Sequence, residues 1–99
     1  MVKLIFSYNM RPGKEQECQE YVAEHVGPTL ANLGLRFTDA WYTMYGNAPQ
    51  IMGGGVLGGL AEAEELLNSQ EWFELVQQLQ EYVYDFDYKI VPATGRFQL

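Results

Sequence analysis

Val2-Lys3-Leu4-Ile5-Phe6-Ser7-Tyr8-Asn9-Met10, running into Arg11-Pro12-Gly13-Lys14-Glu15, is the stretch that decides the fold. Val2, Leu4, Phe6 and Tyr8 alternate on one side, and Ile5 adds an apolar residue to the other. Alternation with apolar residues at both parities is the mark of a central strand. Ser7 and Asn9 fall on the face opposite Phe6 and Tyr8. Pro12-Gly13 is turn chemistry, and proline is best tolerated close to a helix start. Glu15 and Glu17 then suit the positive end of a helix.

Working outward, Cys18, Tyr21, Val22, Val26, Leu30 and Leu33 recur at spacings of three and four, so a helix is expected over Lys14–Leu33. Gly27-Pro28 interrupts it, and a kink is expected near Glu24, where the proline withholds a backbone donor. Gly34 is placed to end it. Strands are expected at Arg36–Tyr45 and Gln50–Gly58, joined through Gly46-Asn47-Ala48-Pro49. A helical block follows in two pieces, Leu60–Asn68 and Ser69–Val83, the second with Ser69 as N-cap and Trp72, Leu75, Val76, Leu79, Tyr82 and Val83 as its apolar stripe. The last strand, Tyr84–Ala93, sets Tyr84, Phe86, Tyr88 and Ile90 against Asp85, Asp87, Lys89 and Val91. The order βαββαβ is the ferredoxin-like α+β plan, with a four-stranded antiparallel sheet, and residues 1–99 read as one such domain. Its sheet has one face covered by helices and one bare.

Net charge is −7, and six of the thirteen acids lie in the second helical block. A phosphate backbone or an anionic bilayer surface would be repelled, so neither nucleic acid nor membrane is an expected partner. The lone Cys18 cannot form an internal disulfide and has the spacing of the apolar stripe, which suits a buried thiol in a reducing cytoplasm. The chain opens directly on a strand, without a secretory signal pattern, and no apolar run approaches the ~18 residues of a membrane helix.

Two segments, Arg11-Pro12-Gly13-Lys14-Glu15 and Leu67-Asn68-Ser69-Gln70-Glu71-Trp72-Phe73, resemble the "PGKE" helix entry and the "S-x-E/A-W/F" helix start of the dimeric α/β-barrel superfamily, which includes antibiotic-biosynthesis-type and haem-degrading monooxygenases. The resemblance spans residues 2–93 and implies a homodimer whose two sheets pack face to face. In the haem-degrading branch an Asn at the strand end works with a Trp and a His. Asn9 and Trp72 match, but Glu71–Val83 contains no histidine, so haem is not expected, and neither is any other cofactor.

His25 is the only histidine, and its ordinary pKa near neutrality makes it the candidate base. It is equally a residue packed beside an apolar stripe. With scattered carboxylates it offers no metal-ligand spacing. Met52-Gly53-Gly54-Gly55-Val56-Leu57-Gly58-Gly59 lacks the Lys-Ser/Thr of a phosphate loop. Its glycines at alternate positions either clear a cavity at Gly53 and Gly55 or serve a bulge or tight packing. Ser7 has no triad partners. Trp41, Tyr45, Trp72 and Tyr88 join Gly53 and Gly55 as candidate pocket residues for a small aromatic ligand, with Asn9 as donor and His25 as base. The expectation is a small-molecule-binding homodimer of the cofactor-independent monooxygenase type. The alternative is a non-catalytic assembly protein without a ligand.

Overall fold

The Val2–Met10 segment forms β1 and lies in the interior of a four-stranded sheet, as its apolar residues on both faces predict. In this computed structural model residues 1–42 and 51–93 are described, with only the backbone of Asp39, Trp41 and Tyr42. The elements are β1, α1 (Glu15–Tyr21), a π-helical segment (Val22–Val26), α2 (Gly27–Asn32), β2 (Arg36–Tyr42), β3 (Ile51–Leu57), α3 (Leu60–Leu67), α4 (Gln70–Leu79) and β4 (Val83–Pro92). The strand order is β2-β3-β1-β4 with every neighbouring pair antiparallel, the ferredoxin-like arrangement.

The first helix departs from a simple kink. Gly27 N–H donates to the carbonyl of Val22, five residues back, in place of an i−4 bond. Pro28 has no N–H for the Glu24 carbonyl, and its ring would press on that turn. Widening the preceding turn into a π segment absorbs both effects. The helix then ends as expected at Gly34, whose φ of +101° suits glycine. Gly34 N–H donates to Ala31 O at 3.1 Å and Leu35 N–H to Leu30 O at 3.0 Å, a Schellman pair that satisfies two terminal carbonyls.

Ser69 caps α4, its Oγ accepting from Trp72 N–H at 3.1 Å. This helix stops at Leu79, earlier than its apolar stripe suggests. Tyr82 N–H turns back to Leu79 O at 2.9 Å, and Arg11 N–H takes Tyr82 O at 2.8 Å. Val83 therefore belongs to the sheet, opposite Met10, and is fully buried there. The expected alternation of the last strand holds for Phe86, Tyr88 and Ile90, which share the helix-covered face with Phe6 and Leu4. It fails at Tyr84. The β1–β4 register shifts between Ser7 and Asn9, where Asp85 sits at φ +55°, so a bulge turns Tyr84 to the open face opposite Asn9.

Leu4, Phe6, Tyr8 and Met10 of β1 face the helices and bury against Cys18, Val26, Leu30, Leu66, Trp72, Leu75 and Leu79. Among the described residues no helix covers the other face of the sheet. It presents Lys3, Ile5, Ser7 and Asn9 of β1, Met52, Gly54 and Val56 of β3, Tyr84, Asp87, Lys89 and Val91 of β4, and Arg36 of β2. The second face of β1 is thus half polar, and its apolar character comes chiefly from Ile5 with the neighbouring strands.

Candidate functional site

The glycine strand was the sharpest steric signal in the sequence, and its packing is tight. A Cβ on Gly54 would stand 2.5 Å from Leu4 O and 3.4 Å from Ile5 Cα. On Gly55 it would strike Arg36 O, with Arg36 C at 2.8 Å and Leu35 Cγ at 2.9 Å. Gly55 lets neighbouring backbone approach; it does not clear a cavity. Gly53 is buried, paired with Phe6 and Ala40, and does not line the interlayer cavity.

That cavity lies between sheet and helices. Phe6, Tyr8 and Phe86 form its floor, Val22, Val26 and Leu30 one wall, and Trp72, Leu75, Val76 and Leu79 the other. It measures about 20 Å³, room for roughly one water. Seven of these side chains are buried, and Val22, Val76 and Phe86 are half-buried. The π segment contributes Val22 and Val26 to this wall, four residues apart and so on one helix face. The floor is an aromatic run: Phe6 and Tyr8 stack with centroids 6.5 Å apart, and Phe86 follows Tyr8 at 6.5 Å.

Among the described residues Tyr8 supplies the one hydroxyl of the lining. Burial pushes its phenol above the ordinary tyrosine value, and the Cys18 thiol nearby adds to the effect. Burial also raises Cys18, so this thiol is a weak nucleophile.

Of the residues singled out from sequence, Trp72 lines the cavity. Tyr88 meets it edge-on at 5.4 Å, at the margin of the sheet and 43% exposed. Asn9 and His25 are not brought together. Asn9 lies on the open sheet face, opposite Tyr84. His25 is exposed on the outer side of the helices, its ring 5.2 Å from that of Tyr21. The sheet separates them, so a pocket bordered by Asn9, His25 and the glycine strand does not form. The backbone of Trp41 pairs with Met52, and Tyr45 lies outside the described residues. Val22, Val26, Leu30, Leu75, Val76 and Leu79 were legible only as core, because a cavity wall and a core stripe have the same spacing.

Charge is unequal between the two sides, with Arg11 and Lys14 the described cations near the helices and Lys14 paired with Glu17 at 3.9 Å. All ten glutamates lie on the helices or in the turn after α4. The open sheet face holds Lys3, Arg36 and Lys89 against Asp87 among its described side chains. Among the described residues no group of three or more His, Cys, Asp or Glu is placed to hold a metal ion, and no helix is long and apolar enough to cross a membrane.

An antiparallel βαββαβ sandwich with one bare sheet face defines a ferredoxin-like α+β protein. Solved structures share it over nearly the full chain. HapK from Hahella chejuensis is similar with a TM-score of 0.78 at 14% identity, covering 100% of this chain and 98% of that one. A NIPSNAP family protein from Agrobacterium tumefaciens is similar with a TM-score of 0.70 at 19% identity, covering 95% and 93%. A dimeric protein of unknown function and ferredoxin-like fold from Bacteroides fragilis gives 0.70 at 14% identity, covering 93% and 95%. At these identities the likeness carries the fold. The Agrobacterium neighbour is a NIPSNAP family protein and the Bacteroides one is of unknown function; the ferredoxin-like fold is shown, and the monooxygenase-type resemblance read from sequence is not. No family model matches the chain, and no curated protein matches it.

Proposed function

We propose that this protein is a homodimer that binds a small apolar or aromatic molecule between the sheet and helices of each copy. The observation that carries the reading is the contrast between its two faces. A second copy could not approach the helical side without setting glutamates against glutamates. The sheet side has mixed charge around Ile5, Met52, Val56 and Val91, which are half-buried within one chain. Sheet-to-sheet packing would remove this apolar surface from water and set Lys3 and Lys89 near a second Asp87. The Bacteroides fragilis neighbour is a dimeric protein, which supports a dimer here without saying which face is buried. A buried free thiol suits the reducing cytoplasm.

The ligand reading rests on the cavity walled by the π segment and α4, a kind of helical irregularity that recurs at functional sites. Oxygenase-type chemistry would need Asn9 and His25 around one substrate, and they lie on opposite sides of the sheet. The proposal therefore stops at binding. The competing reading, an assembly protein with no ligand, is favoured by one observation: the cavity as it stands has only about 20 Å³. Titration with indole, followed by methyl NMR, separates the two. Binding predicts saturable shifts at Val22, Val26 and Leu30. Unmoved methyls at saturating indole would leave the assembly reading.

A further inference from the structure

Directly outside the apolar cavity, between the same helices, lies an open groove of about 520 Å³. Leu75 lines both. The partition is thin: the Tyr21 hydroxyl donates to Leu75 O across the seam at 3.2 Å, long for an O–H···O bond. Tyr21 is half-buried, so water can replace this bond when the seam parts. The groove has a chemistry of its own. The rings of His25 and Tyr82 stand 5.2 and 5.5 Å from that of Tyr21, and Glu71 and Glu74 flank them. Gln70 holds the Glu74 carboxylate through a 2.9 Å bond. A second concavity shares the three rings and adds Glu17, Glu20 and Glu24, of which Glu17 is paired with Lys14 at 3.9 Å. Among the described residues neither is lined by a lysine or arginine.

The geometry points to an organic cation as the ligand: an apolar body enters the interlayer cavity, and its ammonium group stays in the outer groove over Tyr21, His25 and Tyr82, between the carboxylates. The Tyr21 and Tyr82 ring faces and the acidic side chains attract a cation, and an anion of the same shape is repelled. Tyr21 is the gate between the two halves. The inference rests on the cavity reading above and adds the head group to it. The cavity as it stands is too small for the body, so entry requires α4 and the π segment to part at the Tyr21–Leu75 bond. The groove lies on the helical side, away from the sheet face, and remains open in the proposed dimer.

The test uses benzyltrimethylammonium as probe, with benzyl alcohol, tetramethylammonium and benzenesulfonate as comparisons, titrated by NMR at constant ionic strength. The expected result is tighter binding of benzyltrimethylammonium than of benzyl alcohol or tetramethylammonium, by about tenfold, and no binding of benzenesulfonate. Contacts from its phenyl protons should reach the Val22 and Val26 methyls, and contacts from its N-methyls the Tyr21 and Tyr82 rings. Glu71→Gln with Glu74→Gln should lower its affinity toward that of benzyl alcohol, the tyrosine faces keeping part of the difference, and Val26→Phe should abolish binding. The phenyl contacts are read on the unaltered protein, so they decide the matter if Val26→Phe does not fold. Equal affinities for cation and alcohol, unchanged by the glutamate substitutions, would overturn the inference and leave the cavity reading intact. Cation binding without contacts to Val22 or Val26 would overturn it as mere surface attraction. No binding by any probe would overturn both.

Discussion

Gly55→Ala adds a single methyl group, yet it should be among the most damaging small changes in this protein. The new Cβ would strike Arg36 O and lie 2.8 Å from Arg36 C and 2.9 Å from Leu35 Cγ. Two of these atoms are backbone, so no rotamer change relieves the clash. Ordinary contact requires about 3.4 Å, so β2 and β3 must separate locally by about 0.6 Å for Arg36 C alone, and by more for Arg36 O. That stretches ladder bonds from about 2.9 to about 3.5 Å, where they cease to count. Losing two bonds at about 0.5–1.5 kcal/mol each agrees with the ~1–3 kcal/mol of overpacking in general. For a domain of this length, ~3 kcal/mol corresponds to a fall in Tm of roughly 12–24 °C. Gly13→Ala is the control. It has a φ of +83° but nothing within 4 Å of the added atom, so it should cost only the ~1–2 kcal/mol of left-handed backbone. Thermal melts by circular dichroism, with urea titration for the free energy, make the comparison. A Gly55→Ala protein within ~0.5 kcal/mol of the parent would refute the close-approach argument and reopen the cavity reading of this strand.

Ser69→Ala should lose the cap on Trp72 N–H and cost about 1 kcal/mol in urea unfolding. Cys18 is fully buried, so it should react with a disulfide reagent only as fast as the protein unfolds, and fast reaction of the native protein would contradict its placement. Alkali should destabilise the fold. Cys18, Tyr8 and Tyr21 all have values raised by burial, from 9.0 for the thiol and 10.0 for the phenols. Between the ordinary and the raised value the folded chain keeps a proton that the unfolded chain has lost, so stability falls as pH rises. The decline should begin near pH 9 and steepen above pH 10, and Tyr8→Phe should flatten the upper part. An unchanged slope in that variant would show that Tyr8 does not titrate with folding.

Much of the fold is legible in the sequence because local signals agree with tertiary demand. β1 announces itself by apolar residues at both parities, and Gly34 and Ser69 mark helix ends through chemistry that no neighbour overrides. The places that were not legible depend on partners distant in sequence. The Tyr84 side chain faces away from Phe86 because pairing with β1 inserts a bulge at Asp85. Val83 ends in the sheet because Met10 lies opposite, although helical spacing claims it for α4. Pro28 signals a disturbed helix, but a kink and a widened turn both accommodate its missing N–H, so the π segment Val22–Val26 could not be told from a kink by sequence. The candidate site was least legible. Asn9 and His25 were drawn together by their chemistry alone, and strand alternation puts the sheet between them. Gly53 and Gly55 indicate missing side chains without indicating whether space or backbone takes their place.

The central claim is that the bare sheet face is where two copies meet. Sedimentation equilibrium on the wild-type protein and on Ile5→Glu tests it directly. Ile5 is half-buried on the open face, so a carboxylate there is hydrated in a single chain and desolvated in the dimer. The wild-type chain should sediment at twice its 11.3 kDa mass at micromolar concentration, and Ile5→Glu at the single-chain mass with an unchanged circular dichroism spectrum. A wild-type protein at 11.3 kDa, or an Ile5→Glu protein that remains a dimer, would contradict the account.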